Sequence, residues 1–231
     1  MTARVAPWAA VGGFRDSSVY FEGTSSQPQS VDQHFKCFVI HVLRQIPSAV
    51  ERIVAIDEAA VRGWNLLWNG NSFLFRQADG GGGTVTATLT VAPPAGSTIV
   101  IVGAYNSPDL FALVGATAAS AAGAGGVTVG IRNLTVGVRP NGYNDPAQSM
   151  ALGALLSADT GLDAASLEAA HDNITANLRQ GRALDTGLAF ALDRYWDAGD
   201  WVPGTPWVDR IAGQALNLVG SPQRFGVGGR A

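Results

Sequence analysis

"GWNLLWNGNSFLFRQ", residues 63–77, sets two apolar runs on either side of Asn69, Gly70 and Asn71. Asn and Gly reach positive φ at least cost, and a tight hairpin turn requires positive φ. The stretch therefore predicts a β-hairpin with "GWNLLW" and "SFLFRQ" as its strands. Successive side chains of a strand alternate, so Trp64, Leu66 and Trp68 share one face. That face is expected to be core, with Leu67 on the other side among polar neighbours.

The same grammar extends outward. From about Ser17 to Leu156, short apolar runs are punctuated by Gly, Pro, Asn, Asp and Ser at the spacing of an all-β sandwich. Further candidate strands are "SSVYFEG", "FKCFVIHVL", "RIVAID", "TVTATLTV", "STIVIVGAY", "LFALVGAT", "VTVGI", "LTVGVR" and "SMALGALLS". "TVTATLTV" alternates Thr with apolar residues and predicts one wet side. "STIVIVGAY" is apolar almost throughout and belongs between two sheets. "ADGGGG" and "ATAASAAGAGG" lack bulky side chains and are expected as mobile loops. Neither has a P-loop's Lys-Ser/Thr or a dinucleotide fold's strand-to-helix setting.

Helical signals follow the strands. In "TGLDAASLEAAHDNI", Asp163 is an N-cap and Leu162 can staple onto Leu167, predicting a helix from Ala164 to about Asn177. Leu184, Leu188, Leu192 and Trp196 repeat every four residues, which predicts a second short amphipathic helix. The organisation expected is a sandwich over residues 1–171, then a helical segment and arm over 172–231 that packs on the sandwich or on a neighbouring subunit.

Composition narrows the chemistry. Of 231 residues, 47% are hydrophobic and 14% charged, and the net charge is -3, so the chain is globular without general attraction for polyanions. Arg and Lys are scattered singly, and nucleic acid is not an expected partner. Cys37, the single cysteine, excludes an intrachain disulfide and reads as a small buried hydrophobe. The N-terminal residues show no secretion signal, and no stretch approaches the roughly 20 apolar residues of a membrane-spanning helix.

Catalytic motifs are missing. His34, His41 and His171 are too dispersed to propose a zinc site and read as structural or exposed. Asp57 and Glu58 are adjacent on a strand and point to opposite faces, so they cannot form the pair of carboxylates about 5 Å apart that a retaining glycosidase needs. "RPNGYNDPA" places Tyr143, a stacking platform for a sugar ring, among Asn141, Asn144 and Asp145. These four are the candidate ligand-binding residues. The same oxygens leave calcium open as the one cofactor to consider, although a single carboxylate makes a poor cage.

The order of segments resembles the concanavalin A-like lectin/glucanase superfamily in its LamG-like branch. "SSVYFEGTSSQPQSVD" is similar to that family's early strand. "FKCFVIHVLRQIPSAVERIVAID", "GWNLLWNGNSFLFR", "STIVIVGAYNSPDLFALVGA" and "LTVGVRPNGYNDPAQSMALGALLSADTGLDAASLEAA" are similar, in order, to later ones. The resemblance spans roughly Ser17 to His171. It implies a jelly roll of two antiparallel sheets, used for carbohydrate or protein binding and sometimes for glycan hydrolysis. The glucanase branch's Glu-x-Asp-x-x-Glu strand is absent here, which argues against an enzyme.

In many such domains a segment resembling "PWVDRIAGQALNLVGSP" precedes the first strand; here it is residues 206–222. Three arrangements stay open: the arm completes its own sandwich, inserts into a neighbour, or begins a second domain. Trp196, Trp201 and Trp207, half of the six tryptophans, are candidate interface anchors, with burial on the same chain as the alternative. Together these features resemble surface or decoration components of bacteriophage particles. The expected function is a non-enzymatic structural and adhesive component of such a particle, located on its surface, self-associating or bound to other particle subunits, and recognising a cell-surface glycan. The alternatives are a free-standing carbohydrate-binding lectin domain and, behind it, a glycoside hydrolase.

Overall fold

The computed structural model describes residues 18–20, 25–31, 35–43, 50–58, 62–79, 83–91, 93, 97–106, 108–122, 130–136, 150–202, 205–218 and 223–225. In chain order the strands are β1 (Ser18–Tyr20), β2 (Ser25–Val31), β3 (Phe35–Leu43), β4 (Glu51–Glu58), β5 (Arg62–Trp68), β6 (Phe73–Asp79), β7 (Thr84–Leu89) and β8 (Thr98–Asn106). They continue with β9 (Asp109–Val114), β10 (Thr117–Ala121), β11 (Gly130–Val136) and β12 (Met150–Asp159). After helix α1 (Ala164–Arg179) come β13 (Arg194–Asp197), β14 (Trp207–Val208), β15 (Ala215–Leu218) and β16 (Gln223–Phe225).

Two antiparallel sheets form a jelly-roll-like sandwich. Sheet A runs β10-β9-β8-β3-β12-β1-β16, and sheet B runs β14-β15-β2-β11-β4-β5-β6-β7. With ten residues, β12 carries β3 along one edge and β1 and β13 in succession along the other. The β5–β6 hairpin forms as expected, with Trp68 opposite Phe73. Its tip is closed by the Asn69 N–H donating to the Ser72 carbonyl at 3.1 Å, with Gly70 at φ 102°.

Two cores result, one on each side of sheet A. Between the sheets, Trp64, Leu66, Trp68, Phe73 and Phe75 of sheet B meet Cys37, Val39, Ile99, Ile101 and Tyr105 of sheet A. The Trp64 and Tyr105 rings lie 5.2 Å apart. Gly103 makes room for the Phe75 ring on sheet A, because a Cβ there would stand 2.5 Å from it. On the far side of sheet A, Phe38, Val100, Val102, Leu113 and Leu156 pack under Leu167, Ile174 and Leu178 of α1. Asp163 caps that helix, accepting the Ser166 N–H at 2.8 Å, and Leu162 joins Leu167 in the same core.

Four sequence expectations change. The stripe from Leu184 to Trp196 is not a helix: turns around Gly181 and Gly187, both at positive φ, lead into β13. As strand neighbours, Tyr195 enters the helix-side core and Trp196 the inter-sheet core, so the spacing of four was coincidental. "ATAASAAGAGG" is not wholly a loop, since β10 pairs with β9 from Thr117 to Ala121. Small side chains are tolerated there because β10 is an edge strand. "VTVGI" and "LTVGVR" contribute to one strand, β11, not two. The polar run Ser25–Val31 is strand β2, whose Pro28 stands opposite Asn133 of β11 and beyond the short ladder that β15 forms at Ser25 and Ser26.

The C-terminal arm takes part in both sheets of its own chain. β13 pairs with β12 and β16 with β1 in sheet A, while β15 pairs with β2 in sheet B. β15 therefore lies beside β2, and β16 beside β1, in space. Among the described residues no helix is long and apolar enough to cross a membrane.

Candidate functional site

Asn141, Tyr143, Asn144 and Asp145 lie outside the described residues, as does His34. The other singled-out residues fall in three places. Asp57 and Glu58 sit in β4 opposite Gly63 and Arg62. Cys37 is 1% exposed and burial pushes its thiol up to about 12, which makes it a core side chain without nucleophilic character.

Trp196, Trp201 and Trp207 are at most 1% exposed and belong to the inter-sheet core of their own chain. The fold holds two of them by their indole N–H groups: Trp201 donates to the Thr205 carbonyl at 2.9 Å, and Trp207 to the Asp197 carbonyl at 2.8 Å. Around them is a polar clasp that sequence reasoning missed. Asp197 accepts the Tyr195 hydroxyl at 2.7 Å and the Gly199 N–H at 2.9 Å. Arg210 grips Asp200 through two nitrogens, lies 3.5 Å from Asp197, and covers the Tyr195 ring at 4.7 Å. Asp209 accepts the N–H groups of Ile211, Ala212 and Gln214, each within 2.9 Å. In "WVDRIAGQ" the Asp three residues before Ala212 was the available signal, since a short acid closes a turn by taking backbone N–H groups. Arg210 offsets part of the charge of Asp197 and Asp200, backbone N–H groups satisfy Asp209, and together these contacts dock the arm.

What the described surface offers a ligand is a row of hydroxyl and amide groups along the last strand of sheet B. Thr84, Thr88 and Thr90 are exposed and Thr86 half-exposed, spaced every second residue along and just past β7, hence roughly 7 Å apart. Register sets Thr86 opposite Arg76 and Thr88 opposite Leu74. At one end the hairpin tip adds exposed Asn69 and Asn71, and Ser72 ties it to the row through Thr90 at 3.3 Å. The tip is held by Asn69, whose side-chain oxygen accepts the Ser72 N–H at 3.1 Å. Hydroxyl and amide groups on a stiff strand can exchange hydrogen bonds with a polyhydroxylated ligand without charge. Among the described residues no three His, Cys, Asp or Glu side chains stand together to hold a metal.

The one buried amine lies elsewhere. Lys36 is 0% exposed; its Nζ donates to the Tyr105 carbonyl at 2.9 Å and to Asn106 Oδ1 at 2.6 Å. Asn106 in turn donates to the Leu162 carbonyl, linking β3, β8 and the approach to α1. Burial lowers the Lys36 pKa to about 8, partly opposed by Asp159.

No family model matches the chain, and no curated protein sequence matches it. Solved structures do. Domains LG4-5 of the mouse laminin α1 chain superpose with a TM-score of 0.53 at 16% identity, over 64% of this chain and 43% of theirs. The receptor-binding domain of botulinum neurotoxin type G gives a TM-score of 0.54 at 8% identity, over 68% of this chain and 42% of that one. A structure of botulinum neurotoxin type C, whose cell entry is described as dependent on interaction with two ganglioside molecules, gives 0.52 at 10%, over 72% and 42%. This chain thus spans less than half the length of each. The likeness shows the fold, a two-sheet jelly-roll sandwich shared with the laminin and neurotoxin structures.

Proposed function

We propose that the chain is a non-catalytic, lectin-type carbohydrate-binding domain. The observation that carries this reading is the sandwich shared with one toxin's receptor-binding domain and with a structure of another toxin whose cell entry is described as dependent on two gangliosides, which are glycosylated lipids. The Thr and Asn surface at the β7 edge, with Arg76 across from Thr86, suits a hydroxyl-rich glycan. The stretch with Asn141, Tyr143, Asn144 and Asp145 is the proposed recognition element, with Tyr143 stacking on a sugar ring. A glycan panel probed with the full chain tests it: saturable binding to a defined glycan, lost in Tyr143→Ala, is the expected result. A silent panel overturns the function; binding that survives Tyr143→Ala overturns that assignment alone. Release of reducing ends from a bound polysaccharide would make the protein an enzyme.

A second reading, a structural and adhesive component on the surface of a phage-like particle, draws support from the arm. Val202, Val208 and Ile211, at 57%, 47% and 49% exposure, are three of the four exposed large hydrophobics among the described residues. Apolar side chains concentrated on one element suit contact with a neighbouring subunit. Light scattering over a concentration series tests this: defined oligomers that Val208→Asp dissociates support it, and a monomer at every concentration overturns it.

A further inference from the structure

His171 lies on α1 at 2% exposure, and its Nε2 accepts the Gly115 backbone N–H at 3.2 Å. Its Nδ1 stands 3.1 Å from Asp172 Oδ1. A backbone amide can only donate, so Nε2 must carry a lone pair. The ring proton then sits on Nδ1, donated to Asp172. The two partners together dictate a neutral imidazole in one tautomer.

Gly115 opens the two-residue turn between β9 and β10, at φ 60°. β10 reads "TAASA", with three alanines and a serine in five positions, and it is the edge strand of sheet A. Alanine is depleted in strands, and toward sheet B this one packs only the small side chains of Ala119 and Ala121 on the inter-sheet core. On the opposite side the His171–Gly115 bond ties the hairpin's turn to α1.

Protonation inverts Nε2 from acceptor to donor, so two N–H groups would face each other around a buried cation. Asp172, whose side chain is 56% exposed, draws an imidazolium the opposite way, toward water. The helix-facing side chains of β8 are Val100, Val102 and Ala104, and those of β9 are Phe111 and Leu113. The one charged residue of β9 is Asp109 at its start, and the turn and β10 have none. Glu168 lies one turn earlier on α1, and Arg182 and Asp185 lie in the segment after the helix, which Asn177 holds through the Thr186 carbonyl at 2.8 Å.

We infer that His171 is an acid-released latch: its neutral form fastens the β9–β10 hairpin to α1, and its protonation frees the edge of sheet A. The test is NMR on the full chain from about pH 8 to about pH 5, the span in which imidazoles ordinarily change charge. It follows the His171 ring signals beside the exchange protection of the Gly115 and β10 amides. The expected result is a loss of protection of roughly tenfold, the equivalent of one buried hydrogen bond, tracking the His171 titration while the β5–β6 amides stay protected. His171→Gln, which keeps an oxygen acceptor and cannot titrate, should hold protection constant over the same span. Protection that ignores His171 titration, or falls equally in the Gln variant or in β5–β6, overturns the latch. The wild-type measurement decides even if the variant does not fold.

Discussion

The two faces of sheet A are both buried, but by different means. Toward sheet B the cover is aromatic and close: Trp64, Trp68, Phe73 and Phe75 press on alternate residues of β3, β8 and β9, and Gly103 gives up its side chain to let Phe75 in. Toward α1 the cover is aliphatic and pinned at a few polar points: Lys36 at the end of β3, His171 at the β9–β10 turn, and Asn177 under the segment that follows the helix. One face draws on apolar area. The other combines smaller side chains with buried hydrogen bonds, which makes it the face whose strength responds to pH.

The comparison can be broken most forcefully at Trp64. Trp64→Ala should cost about 3–5 kcal/mol in denaturant unfolding, because a 1% exposed indole leaves a large cavity beside Tyr105. Ile174→Ala, which empties a fully buried site in the helix-side core, should cost about 2–4 kcal/mol. An equal or larger loss there would erase the distinction between the faces. Gly103→Ala should cost about 1–3 kcal/mol by overpacking, as the new methyl meets Phe75, and Phe75→Leu in the same chain should recover part of it.

The pH response sharpens the contrast. Lys36 titrates near 8 in the folded chain and near 10.5 when unfolded, so between those values the unfolded state binds more protons. Stability should therefore rise with pH across that window as the cost of a buried cation disappears. A Lys36→Met chain, compared by urea midpoints at both ends of the window, should lack this rise. The smallest effect is expected at Asp163, an exposed cap. Hydrogen bonding to Ser166 depresses its pKa, so its contribution is present above the ordinary carboxylate range and fades as pH falls below it. Asp163→Ala should lower the thermal midpoint slightly at neutral pH and not at all in strong acid.

Legibility follows the same division. The β5–β6 hairpin, β3, β8 and the start of α1 were readable because period-two alternation, an Asn-Gly turn and a short acidic cap are local signals. β2 and β10 were not, since a polar run with a proline and a run of alanines become strands only when a neighbour supplies the ladder. The stripe ending at Trp196 misled for the same reason. Spacing of four is helical only if the backbone is, and here pairing of Tyr195 and Trp196 with Leu156 and Leu155 prevailed. Of the candidate binding residues, the stretch around Tyr143 was read from side-chain chemistry alone, whereas the β7 threonine row gains its setting from the hairpin tip beside it.

By itself, then, the sequence determined the class of fold, the aromatic face of the first core, the helix start and the absence of familiar catalytic motifs, because each is encoded within a few neighbouring residues. Only the tertiary structure decided that the arm enters both sheets of its own chain, that three tryptophans are core, and that Lys36 and His171 act as buried pins. Those outcomes depend on partners from 10 to 207 positions away, and a pairing at that distance is settled by burial and hydrogen-bond geometry that no local pattern contains.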